Sequence, residues 1–83
     1  MLAMSELWER ALEVSTDGGD HFKHVATSRQ ALECLLTSWP EKGGSAFSIA
    51  KRTCALAIEG RATSLAASQA FEAAAREAGL IRQ

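Results

Sequence analysis

Asp17, Asp20, His21 and His24 lie close together and are all residue types that ligate metal ions or move protons, while Cys34 and Cys54 are the chain's two candidate nucleophiles. A metal site needs its ligands to converge on one point. On an extended strand, residues three apart point to opposite faces, so His21 and His24 do not chelate one ion without a bulge. No Cys-x-x-Cys or His-Glu-x-x-His spacing accompanies them. Turn acids and strand-surface histidines are therefore expected, with no metal and no cofactor. Cys54 follows Lys51-Arg52-Thr53, and nearby positive charge lowers a thiol pKa. A thiolate nucleophile also requires a positioned base, and both histidines belong to a different element. Cys54 falls on an apolar stripe with Phe47 and Ala50, which predicts a buried small hydrophobe, and Cys34 is read the same way.

Lys51, Arg52 and Arg61 form a small basic grouping. Ten acidic residues against nine basic ones leave a net charge of −1, and the chain has no tyrosine. A nucleic-acid surface would show clustered basic residues on a net-positive domain, so weak nucleic-acid binding is only a further alternative. Gly18-Gly19 and Gly43-Gly44 lack the spacing and the Lys-Ser/Thr of a phosphate loop. A catalytic pair of carboxylates does not stand out from the solvated ones.

The elements that must position these residues follow from turn and periodicity signals. Asp17-Gly18-Gly19-Asp20 is a turn, because glycine accepts positive φ at no steric cost. Over residues 7–14 a helix would gather Met4, Leu7, Trp8, Ala11 and Leu12, whereas a strand puts Trp8, Leu12 and Val14 on one face. The Gly-Gly turn, and the alternation of Phe22, His24 and Ala26 against His21, Lys23 and Val25, favour a strand over about residues 10–15 paired with a second one.

Helices account for the remainder. Thr27 and Gln30 form a capping box ahead of a stripe of Ala31, Leu32, Leu35, Leu36 and Trp39, and Pro40 ends that helix. After a Glu41-Lys42-Gly43-Gly44 loop, Ser45 is the expected N-cap of a helix whose face is Phe47, Ala50, Cys54, Ala57 and Ile58, stopped by Gly60. Thr63 or Ser64 opens a third helix with Ala67, Ala70, Phe71, Ala74 and Ala78 inward, closed by Gly79 with Leu80 folding back. Phe71 is the main anchor of that mostly alanine face. The expected architecture is α+β: a two-stranded antiparallel hairpin over about residues 8–27 packed on helices over about 28–39, 45–59 and 64–78, in the order ββααα, within one domain spanning residues 1–83.

This order of a Gly-containing hairpin turn, Ala31-Leu32-Glu33-Cys34-Leu35, Trp39-Pro40, Cys54, Gly60 and Ala70-Phe71-Glu72-Ala73-Ala74 resembles a family of short uncharacterised bacterial proteins classed as a domain of unknown function. The resemblance runs from about Trp8 to Leu80, with Trp-Pro after the first helix as its most distinctive element. Where that family often carries arginine before the Ala-Phe pair, this chain has Ser68-Gln69. The resemblance implies the fold and brings no activity, cofactor or catalytic residue.

A non-catalytic protein-interaction or regulatory module is therefore the expected function, not an enzyme. The alternative is a small ligand-binding protein or enzyme using Cys54 or His21 and His24. Trp8, Val25 and Trp39 are the residues weighed for an interaction surface, although for Trp39 the role of capping the core is favoured. An unidentified protein partner is expected, and a homodimer through the hairpin edge, because a lone two-stranded sheet leaves edges unpaired. Residues 80–83 lying along one edge are the alternative. No apolar run reaches the roughly 18 residues of a membrane span. The start, at Met1 or Met4, lacks a signal peptide's basic flank, so a cytoplasmic location is expected.

Overall fold

A computed structural model describes residues 7–15, 22–39 and 44–80. Strands β1 (Leu12–Val14) and β2 (Lys23–Val25) pair antiparallel, and helices α1 (Ser28–Thr37), α2 (Ser45–Ile58) and α3 (Ser64–Ala78) follow. This is the expected ββααα order. The Asp17-Gly18-Gly19-Asp20 turn lies outside the described residues.

Both strands are shorter than the alternation suggested. The register sets Leu12 opposite Val25, Glu13 opposite His24 and Val14 opposite Lys23. Period 2 then separates two faces. Val14 and Val25 are buried and Leu12 is half-buried, while Glu13 and His24 stand exposed on the other side. Upstream of β1, the Trp8 N–H donates to the Ala26 carbonyl at 2.7 Å, which ties the entering chain to the end of β2. Residues 7–14 are not helical.

Each helix boundary has a local cause. The Thr27 hydroxyl accepts the Gln30 N–H at 3.0 Å, and the Gln30 side-chain oxygen accepts the Ala26 N–H at 2.8 Å. The capping box thus forms with its return bond shifted one residue upstream. α1 ends two residues short of Trp39, with Ser38 as its C-cap and the Ser38 N–H still bonded to the Cys34 carbonyl at 2.9 Å. The N-cap of α2 is Gly44, not Ser45. Gly44 sits at φ +93°, a conformation that an L side chain rarely adopts, so the serine is displaced into the first helical turn. α2 and α3 both close with a glycine in positive φ, Gly60 and Gly79. At the end of α3 the Leu80 N–H reaches back to the Ala75 carbonyl at 2.9 Å and the Gly79 N–H to the Arg76 carbonyl at 3.1 Å. That pair of bonds is a Schellman ending, and it turns Leu80 into the core.

Phe71 is fully buried at the centre, with its ring 5.8 Å from Trp8 and 5.5 Å from Trp39 in tilted geometries. Trp39 also meets Phe47 at 6.4 Å. Three segments contribute to this aromatic cluster besides α3: the chain before β1, Trp39 two residues after α1, and α2. Alanine on α3 permits the close approach of α2, where the Cys54 thiol comes 4.0 Å from the Ala67 carbonyl. The inward stripe of α1 is rotated from the expected one. Ser28, Ala31, Cys34 and Leu35 are buried, Leu32 is half-buried, and Leu36 is 51% exposed. The Trp8 indole N–H donates to the Ser28 hydroxyl at 3.3 Å, on the buried side of the helix.

Candidate functional site

The three residues weighed as an interaction surface are core residues. Trp8 is 6% exposed, Val25 1% and Trp39 5%. Two of them pack on Phe71, and Val25 supplies the buried face of the hairpin. Val25 and Trp39 are closed off in the core, while Trp8, though 6% exposed, lines the groove described below. A hairpin-edge dimer likewise gains no burial from Trp8 or Val25. Just past β1, the Ser15 N–H donates to the Leu80 carbonyl at 2.9 Å, joining the hairpin to the end of α3.

The chemistry-bearing residues lie apart. His24 is exposed on β2 with its Nδ1 4.0 Å from the carboxylate of Glu13 opposite. Asp17, Asp20 and His21 fall outside the described residues. Among the described residues no group of three or more His, Cys, Asp or Glu side chains is placed to hold a metal ion. Cys54 is fully buried between α2 and α3, and Cys34 is 1% exposed; neither forms a disulfide. Lys51 lies over the Phe47 ring at 5.7 Å, and Arg61 approaches Glu59 at 4.0 Å, so the expected basic grouping is divided between separate contacts.

Burial pushes the Cys34 thiol above its ordinary value of 9.0; Lys23 partly offsets this and Glu33 adds to it. The folded chain thus keeps a proton that the unfolded chain releases, so stability is intact below the ordinary thiol pKa and declines as pH rises past it. Two results follow. A thiol reagent at neutral pH should label both cysteines slowly, at the rate of unfolding, and fully only in denaturant. Between neutral and alkaline pH the urea midpoint of the wild type should fall more than that of Cys34→Ala. Rapid labelling of native Cys54 would overturn this assignment.

A groove that the residue patterns did not reveal runs between residues 7–12 and the N-terminal half of α3. It encloses about 400 Å³. One bank carries Leu7, Glu9 and Arg10, and the other Leu65, Ser68, Gln69 and Glu72, with Trp8 and Leu12 between them. Leu65, Ser68, Gln69 and Glu72 follow the i, i+3, i+4, i+7 spacing of one helix face. Leu65 precedes Ala67 by two residues and so lies about 160° round the helix from it. A leucine opposite an alanine core stripe was the legible signal for this face. Leu7 is 72% exposed and Leu65 60%, while Arg76 holds the Glu72 carboxylate at 2.8 Å at the end of the groove.

The model of a family described as "Protein of unknown function (DUF982)" matches residues 10–81. The chain belongs to that family. The matched span of DUF982 takes in both strands, all three helices, and the α3 bank of the groove with its Ser68-Gln69 pair. Leu7 and Glu9, on the opposite bank, precede it. No curated protein and no solved structure matches the chain.

Proposed function

We propose that this DUF982 protein is a non-catalytic interaction module whose partner docks in the groove between residues 7–12 and α3. The observation that carries this is the pair of leucines, Leu7 and Leu65, standing in solvent on opposite banks of one concave surface. Exposed apolar side chains bracketed by Glu9, Arg10, Gln69 and Glu72 have the apolar centre and polar rim of a protein-binding patch. The partner this suits is a protein segment presenting one or two apolar side chains with charges of both signs beside them.

Two buried thiols, and His24 exposed beside the Glu13 carboxylate on a different element, support binding over catalysis, because acyl or group transfer needs a nucleophile, a base and an orienting group within reach of one another. Two reduced cysteines suit a reducing compartment, and a cytoplasmic location is part of the proposal. Among the described residues no helix is long and apolar enough to cross a membrane.

Affinity capture from the native cell tests the docking surface. Wild type and Arg52→Glu, altered at an exposed residue of α2 outside the groove, should retain the same partner. Leu65→Glu should lose it while keeping its fold. An identical set of captured proteins from all three baits would contradict the assignment.

A further inference from the structure

We propose that residues 7–11 form a strap that unlatches at Trp8 while the rest of the domain stays folded, so that the groove has both its banks only in the latched state. The regulatory consequence rests on the docking assignment above; the strap itself does not.

Attachment along the strap is concentrated at one residue. The Trp8 N–H donates to the Ala26 carbonyl at 2.7 Å, its indole N–H to the Ser28 hydroxyl at 3.3 Å, and its ring lies 5.8 Å from that of Phe71. These contacts lead to three separate places: the end of β2, the start of α1 and the middle of α3. On either side of Trp8 the chain is loosely held. Leu7 is 72% exposed. Glu9 and Arg10 are exposed, and among the described residues neither makes a hydrogen bond or an ion pair. The chain bends at residues 9 and 10 and is fixed again at Leu12, which pairs with Val25 in the ladder.

Unlatching therefore withdraws one large side chain from the core and returns two N–H donors to water. Global unfolding exposes the whole cluster around Phe71. Segments held by few buried contacts open below the global free energy. The bank lost on opening carries Leu7, Glu9 and Arg10, whereas Leu65, Ser68, Gln69 and Glu72 stay in place on α3. A partner that touches both leucines binds the latched form alone. It holds the strap closed, and its apparent affinity falls in proportion to the unlatched fraction.

Hydrogen exchange of the free, full-length chain, followed amide by amide by NMR in urea below the unfolding transition, tests the strap without any partner. The Trp8 amide should be protected about tenfold or more, yet about tenfold or more below the amides of Phe71 and Ala74 in the middle of α3. Its protection should vary little with urea, because its opening exposes little surface, while that of Phe71 and Ala74 should fall with the slope of global unfolding. Ala50→Gly, at a buried position on α2 outside the groove, supplies a second arm. It should lower protection at Phe71 and Ala74 about fivefold or more, the cost of glycine inside a helix, and leave Trp8 unchanged. A Trp8 amide that shares the protection and urea slope of α3, or that loses protection in step with it in Ala50→Gly, would overturn the separate opening. A Trp8 amide with no protection would overturn the latch. Loss of the crosslink or capture from position 65 would instead contradict the docking assignment and leave the exchange result standing.

Discussion

Phe71→Ala is expected to remove most of the stability of this domain. An 83-residue chain has a total stability of about 4–12 kcal/mol. Truncating a fully buried phenylalanine costs about 3–5 kcal/mol in lost transfer free energy and residual cavity. Here the upper end applies. The ring lies between two tryptophans, at 5.8 and 5.5 Å, so its removal also deletes two aromatic pairs worth about 0.5–1.5 kcal/mol each beyond their area. The rest of the α3 core face is alanine, whose side chains are too short to collapse into the space. Urea denaturation followed by tryptophan fluorescence reads the outcome on the two rings that lose their neighbour. A midpoint close to wild type would mean that Phe71 does not join the elements.

Val25→Lys should be nearly as damaging, for an electrostatic reason. Val25 is 1% exposed on the inner face of β2, and the residue across the ladder on that face is Leu12. No carboxylate sits opposite to pair with an ammonium group; Glu13 and His24 lie on the outer face. An uncompensated buried charge costs about 3–5 kcal/mol. The lysine stem recovers part of this where its end reaches water. The expected readout is a large drop in thermal midpoint with loss of cooperativity, at any protein concentration. The same change at an exposed strand edge would leave stability untouched.

What the sequence disclosed and what it withheld divide along physical lines. Glycines that must adopt positive φ, Gly60 and Gly79, marked helix ends that the chain indeed uses, and the Thr27–Gln30 spacing marked a real cap. Phe71 stood out because α3 offers little else to bury. Periodicity reported that α1 has an apolar stripe, but the stripe is wide. Tertiary packing of Ala31, Cys34 and Leu35, with the hydrogen bond from Trp8 to Ser28 between residues 20 apart in the chain, fixes which edge faces inward and leaves Leu36 in solvent.

The burial of the three candidate interaction residues has a related cause. Trp8, Val25 and Trp39 lie near element ends, where local pattern cannot distinguish a surface anchor from a residue folded over the core. Tertiary packing on Phe71 covers both tryptophans. The groove was invisible for the opposite reason: its banks come from residues 7–12 and from α3, more than 50 residues apart in sequence.

Photo-crosslinking from position 65 tests the assignment of the groove most directly. A photoreactive side chain replacing Leu65 stands on the groove's bank, whereas the same group replacing Arg52 is exposed on α2 away from it. Irradiated in the native cell, the first should yield a discrete adduct with another protein, and the second should not. No adduct from position 65, or the same adducts from both positions, would contradict a docking function for this surface.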